Sequence, residues 1–386
     1  MNNWKEIKFK DFITLQRGYD LFKTEYKAGE YPVVGATEIA GYHNVYKVLS
    51  PGITVGRVGS IGNVQLIQKN FWPHQDCLYI KDFKGNDLKY VYYTLIALPL
   101  SHLDAGGAVP ALNRNHLDNI KLNLPPIPTQ QRIASILSSY DELIEVNIQR
   151  IKLLEETALE FYKEWFVRLR FPNYKQAKFV KGMPKDWEIV RIDSLYKTSS
   201  GGTPSREKSE YYDNGIYNWV KTGELNDSFV FETTEKISEI GLKNSSAKLF
   251  PPYTTIFAMY GNTIGQLGII TQISATNQAC CALIPITKEF DFEFLFLTLL
   301  HNRNEIISFG MGAAQQNVNQ DEIKKYKILK PTEELAIKFK KLTNPIFMQI
   351  ENLQQQNTQL RQIRNRLLPR LISGKLVVKN ENKAVE

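Results

Sequence analysis

The chain has 386 residues, with 48 Lys and Arg against 40 Asp and Glu and a net charge of +8. That length predicts two or three domains, and the basic excess favours an anionic partner, nucleic acid first. Three cysteines without a Cys-x-x-Cys argue against a disulfide framework and a zinc site. The polar opening Met1–Glu6 has no signal-peptide core and no apolar stretch nears membrane-spanning length, so a cytoplasmic protein without membrane contact is expected.

Taken in order, Trp4 leads a short alternating segment into a helix start. Strand-like runs follow at Tyr31–Gly35, Gly52–Gly59 and Asn63–Ile67, then a helical pattern over Leu88–His102 and a strand at Ile120–Leu124. Pro125 and Pro126 stop that strand, and Thr129 is the expected cap of a long helix. Its apolar seam is Ile133, Leu137, Tyr140, Ile144, Ile151, Leu154, Ala158, Phe161 and Trp165, broken only by Asn147. Such heptad spacing belongs to a helix made to pack along another helix. The helix ends at Phe171-Pro172, and a linker leads to Pro184.

Trp187 opens the same sequence of events again. Strand-like runs at Tyr217–Lys221, Thr255–Tyr260 and Leu267–Thr271 precede a helical pattern over Phe292–Ser308, a strand ending at Pro331 and a cap at Thr332. Adding 202 to the first seam gives Leu335, Phe339, Leu342, Ile346, Gln349, Leu353, the polar Gln356 in place of Leu154, Leu360, Ile363 and Leu367. Asn147 and Gln349 thus fall at one place in the two seams, and an antiparallel pairing would bring them together as a polar register pair. Pro345 is expected to kink the second helix or to mark where it becomes well formed. Shorter matches run in the same order: Gly59–Gly62 with Gly261–Gly265, His74–Cys77 with Asn277–Cys280, and Gly106–Asn113 with Gly312–Asn319.

The chain therefore reads as an internal duplication of α+β class. Two mixed domains, 1–128 and 187–330, are separated by two long antiparallel helices, 129–170 and 331–374, that form a coiled coil with a pseudo-two-fold. A linker at 171–186 and a frayed tail at 375–386 complete the division.

Catalytic chemistry finds no foothold. There is no His-Glu-x-x-His, the five histidines are scattered, and no paired carboxylates have a hydrolytic or metal-binding spacing. Asn344-Pro-Ile-Phe347 resembles the adenine-gripping string of amino-methyltransferases. Ile346 replaces its second proline, however, and no glycine-rich cofactor loop follows a strand upstream. What remains is a binding surface near the duplicated turns. In the first domain it comprises Arg57, Ser60, Asn63, Lys69, His74, Gln75 and Arg114. In the second it comprises Thr203, Ser205, Arg206, Lys221, Asn262, Gln266, Asn277, Gln278, Gln315 and Gln316. Arg, Asn and Gln suit base edges, while Ser, Thr and backbone amides suit phosphates. Asn, Gln and Gly are equally ordinary turn formers.

Several strings in the right order resemble the specificity subunit of type I restriction–modification enzymes: Pro125–Ala134, Phe161–Val167, Gly201–Ser205 with Trp219 downstream, and Leu367–Leu376. Two departures stand out. Pro331-Thr-Glu-Glu-Leu335 replaces the usual Pro-x-x-x-Gln, and Val109-Pro-Ala replaces Gln-Pro-Asn. The resemblance implies a non-catalytic reader of a split, asymmetric DNA target, one half per domain. It implies docking of two adenine-methylating subunits that use S-adenosylmethionine, and of a restriction and translocase subunit that uses ATP and Mg. It implies no cofactor on this chain. A coiled-coil scaffold without sequence-specific DNA binding is the alternative.

Overall fold

The computed structural model describes residues 3–103, 111–309 and 317–378. It divides into two units, Met1–Glu145 with Thr358–Glu386, and Val146–Asn357. Each unit holds one strand-rich domain and one part of each long helix.

In the first unit, short alternating runs pair into an antiparallel sheet in the order Thr14–Arg17, Cys77–Asp82, Gly52–Gly56, Val64–Ile67. A smaller sheet orders Ile39–His43, Tyr31–Val34 and Trp72–Pro73, with Val33 beside Trp72 in a parallel pair. Lys5–Lys8 pairs with Lys121–Leu124 at the domain's edge. Burial of Phe12, Ile53, Leu78, Tyr90 and Leu95 builds the core, which Ile133 and Leu137 of the first long helix and Leu368 and Leu371 of the second complete. Two polar clusters fix these helix parts. Gln130, fully enclosed, accepts from the Asp87 amide at 3.0 Å and donates to Asn86 Oδ1 at 2.9 Å and to the Pro125 carbonyl at 3.0 Å. Asp141 accepts from Tyr93 Oη at 2.6 Å and pairs with Arg364.

The second unit repeats the plan. Its larger sheet runs Tyr196–Ser200, Cys280–Pro285, Thr255–Ala258, Leu267–Ile270, Ser228–Val230. The smaller runs Lys236–Ile237, Tyr217–Val220, Ser274–Thr276, Leu249–Phe250, and Trp219 lies beside Ala275 in a parallel pair. Glu188–Arg191 pairs with Lys327–Lys330, as Lys5–Lys8 does with Lys121–Leu124. The core is aromatic: Phe339 packs against Phe166 at 4.8 Å, Trp165 at 5.5 Å and Phe294 at 6.3 Å between ring centroids. The departure noted at Pro331–Leu335 is made good further along the helix. Lys340 donates to Asp291 at 2.6 Å, and Asn344 donates to the buried Glu293 at 2.6 Å. Asn344 is thus a structural tie in a helix interior, not an adenine grip.

Several expectations need correction. The first long helix spans Ile127–Tyr162 and continues into a wider turn over Lys163–Val167, so Thr129 lies in its first turn instead of capping it. Thr332 does cap the second, accepting from the Leu335 amide at 3.4 Å. That helix runs unbroken over Glu333–Ile372, so Pro345 does not mark its beginning. The openings Ile127 and Glu333, and the strands Lys121–Leu124 and Lys327–Lys330, are each 206 residues apart, not 202. The difference shifts the second seam: Thr343, Phe347, Ile350 and Asn357 are buried, whereas Gln349 is exposed and Ile363 is 44% exposed. Leu342, Ile346, Leu360 and Leu367 are half-buried, while Leu335, Phe339 and Leu353 are buried. In the first seam Ile133, Leu137, Ile144, Ile151 and Ala158 are buried, and Tyr140, Leu154, Phe161 and Trp165 are half-buried. Asn147 is buried and donates to Gln356 at 2.8 Å and Asn357 at 3.0 Å, so its polar partner is not Gln349.

The helical pattern Leu88–His102 breaks at Pro99, and Phe292–Ser308 forms two helices, Phe292–His301 and Arg303–Phe309. The linker is not a free spacer. Phe171 is buried on Trp187 with ring centroids 4.9 Å apart, and Phe179–Val180 pairs with Met183–Pro184. Nor is the tail wholly frayed, because Leu376 and Val378 pack half-buried on the first unit's core.

Candidate nucleic-acid interface

Each domain closes its smaller sheet with one indole. Trp72 Nε1 donates to the Tyr19 carbonyl at 3.3 Å, and Trp219 Nε1 donates to the Gly202 carbonyl at 3.1 Å. The tryptophans occupy opposite strands of equivalent parallel pairs, Val33 with Trp72 and Trp219 with Ala275. Just before each acceptor a glycine meets backbone so closely that no side chain fits: Gly18 against His74, Gly201 against Thr276. The Gly201–Ser205 string is therefore first a device for joining chain segments.

A cation lies over each indole. Lys47 Nζ is 4.8 Å from the Trp72 ring and 5.6 Å from Tyr19, and Lys47 is exposed. The Arg206 guanidinium is 4.5 Å from the Tyr212 ring and 5.0 Å from Trp219, and Lys221 Nζ is 5.8 Å from Trp219. Such stacking holds a cation in place while leaving its outer side open. The two sites differ in charge. Glu235 accepts from both Arg206 and Lys221, and these hydrogen bonds hold its carboxyl down to about 2. Lys47 has no recorded acidic partner among the described residues. In the sequence Lys47 stands in a plain polar-aromatic run, and only its stacking on Trp72 singles it out.

The other first-domain candidates are partly committed to the fold. Arg57 Nε donates to the Gln75 carbonyl at 3.2 Å. Asn63 donates to the Ala36 carbonyl at 3.1 Å. His74 Nε2 lies 3.1 Å from the Leu21 carbonyl, and Nδ1 lies 2.9 Å from Asp76 Oδ2 without a hydrogen bond to it. Gln75 is half-buried, Ser60 and Lys69 are exposed, and Arg114 opens a short helix capped by Asn113, its side chain lying outside the described residues.

In the second domain Thr203 donates to Gln278, both exposed, and Asn277 Oδ1 accepts from the Ala279 amide at 3.2 Å. Ser205 and Asn262 are exposed, and Gln266 is half-buried. Gln315 and Gln316 lie outside the described residues. The matched turns share backbone geometry: Gly62 and Gly265 both take left-handed φ, 78° and 82°, packed against the segments at Leu100 and Arg303. Cys77 and Cys280 are buried equivalents whose thiols burial pushes up to about 12, which makes them core residues and not nucleophiles. Among the described residues no group of His, Cys, Asp or Glu has an arrangement able to hold a metal, and no helix is long and apolar enough to cross a membrane.

Each domain of this duplicated fold thus presents a cation stacked on an indole. The model of the type I restriction modification DNA specificity domain matches residues 1–156 and 184–362, and the chain belongs to that family. More narrowly, it is a type I restriction–modification specificity subunit, a non-catalytic component. It is 27% identical to the type I restriction enzyme MjaIX specificity subunit of Methanocaldococcus jannaschii, over 92% of this chain and 88% of that one. It is 25% identical to the HindI specificity subunit of Haemophilus influenzae, over 74% of each. The crystal structure of a type I restriction–modification S subunit from M. genitalium shares the fold, with a TM-score of 0.66 at 19% identity over 96% of both chains.

Proposed function

We propose that this chain reads one split, asymmetric DNA target, each domain gripping one half. The observation that carries the reading is the repeated cation-on-indole arrangement, Lys47 on Trp72 and Arg206 with Lys221 on Trp219, set in matching sheets with unlike surroundings. Equivalent frameworks suit one chemical partner, and unlike residues suit unlike half-sites. DNA-binding roles for Arg57, Ser60, Asn63, Lys69, His74, Gln75, Arg114, Thr203, Ser205, Asn262, Gln266, Asn277, Gln278, Gln315 and Gln316 belong to the same proposal.

The long helices serve as docking surfaces for two adenine-methyltransferase subunits in the cytoplasm. S-adenosylmethionine is carried by those partners, and ATP and Mg by a restriction subunit. In support, Val146 and Leu153, seven residues apart on one helix face, are 50% and 62% exposed. The test is to map methylated adenines in host DNA with and without this chain. A two-part motif that disappears with the chain is expected. An unchanged methylation map, or DNA binding by the assembled complex without sequence preference, would leave only the scaffold reading.

A further inference from the structure

Within the second unit the first long helix leaves a gap. Ala158 lies opposite Phe347 there, and with Phe229, Phe296, Glu155 and Asp227 it lines a cavity of about 230 Å³. The wall is mostly apolar and aromatic, and carboxyl groups supply the charge. Counted at the 206-residue offset of the helix openings, Ala158 and Phe347 stand where the first unit has Arg364 and Asp141. The repeat fills that place with its own guanidinium, on Asp141, under Tyr93. In the second unit both members of that pair are replaced, by Ala158 and Phe347, and Glu155, one turn before Ala158, brings a carboxyl to the cavity.

Asp227 is already satisfied, pairing with Arg303 and accepting from the Leu267 amide at 2.9 Å. Glu155 is not: it is half-buried, and it has no cation or donor among the described residues. We propose that this cavity is a binding site for a small organic cation, a guanidinium or ammonium on an apolar body, with Glu155 as the counter-charge and the three phenylalanines as the seat. The volume matches a ligand of about side-chain size, and cations bind well over aromatic faces near a desolvated carboxylate. The groups facing Glu155 agree with an unfilled anionic site. Burial first, then Asp227, then Glu156 raise its carboxyl to about 7, while Arg303 is held by Asp227.

The test is calorimetric titration of the full chain with propylguanidinium and phenethylammonium, beside uncharged propylurea and phenylethanol. Saturable one-to-one binding of the cations is expected, about tenfold tighter at pH 8 than at pH 6 because only the carboxylate pairs with them. Glu155→Gln, which keeps the shape, should weaken binding at least tenfold. Ala158→Arg, which supplies the guanidinium from within, should abolish it while raising the melting temperature. Repeating the titration on the complex assembled with its partner subunits separates two sources: retained binding marks a free small molecule, and exclusion marks a cationic side chain of a partner. The proposal is overturned by no saturable binding at millimolar concentration, by equal binding of the uncharged analogues, or by a folded Glu155→Gln variant that binds the cations as tightly as the wild type.

Discussion

The two units solve one packing problem with different chemistry. Both must fasten the end of one long helix and the beginning of the other onto a domain. The first does it with polar ties, Gln130 on Asp87 and Asn86, and Arg364 on Asp141. The second uses rings, Phe339 among Phe166, Trp165 and Phe294, and keeps a cavity where the first has a guanidinium. A duplicated fold therefore preserves backbone plan more strictly than side-chain chemistry. The domain surfaces diverge likewise, since among the described residues Lys47 has no acidic partner and Arg206 has one.

The largest expected effect comes from breaking the aromatic solution. Phe339 is fully buried, and Phe339→Ala should cost about 3–5 kcal/mol through lost burial and the void left behind. Denaturant unfolding of the full chain would show it. A loss under about 1 kcal/mol would mean that the ring cluster is not what holds that helix end.

Breaking the polar solution should cost less. Asp141 and Arg364 are each about 30% exposed at the side chain, so Asp141→Ala is expected to cost about 2 kcal/mol, below the range for a fully buried pair. Adding Arg364→Ala should cost less than the sum of the single changes, because no cation is then left without its partner. Strict additivity in that cycle would show that the pair is not coupled.

The surfaces are compared by DNA binding. Lys47→Ala should weaken binding to all sequences and flatten the salt dependence by about one unit. Arg206→Ala should do so less, because Glu235 already offsets that charge, and Glu235→Gln should strengthen binding. Equal salt slopes for Lys47→Ala and Arg206→Ala would remove the distinction between the domains.

The smallest effect is a pH dependence confined to the second unit. The carboxyl of Glu155 is raised from 4.5 to about 7 in the folded chain, which therefore holds a proton that the unfolded chain releases. Its contribution to stability is present below about 4.5, declines as pH rises through about 7, and is level above. Glu155→Gln should accordingly raise the melting temperature at pH 8 and leave it nearly unchanged at pH 4.5. A shift of equal size at both pH values would show that the residue does not titrate in this way.

What the sequence determined by itself was periodic. Apolar residues at heptad spacing specify a helix whatever lies beside it, so Ile133–Trp165 and its later counterpart were legible, as were the duplication and the glycine turns at Gly62 and Gly265. Family strings such as Phe161–Val167 carried the rest of the identification. Tertiary structure alone decided which residues meet. Heptad matching tolerates a slip of about one turn, so the offset of 202 looked as good as 206, and Asn147 was assigned Gln349 where packing gives it Gln356 and Asn357. Glu235 lies 29 residues from Arg206, and no local pattern announces that it holds that cation. Nor does an alanine at 158 announce a cavity, because a void is a property of what lies opposite, here Phe347, nearly two hundred residues along the chain.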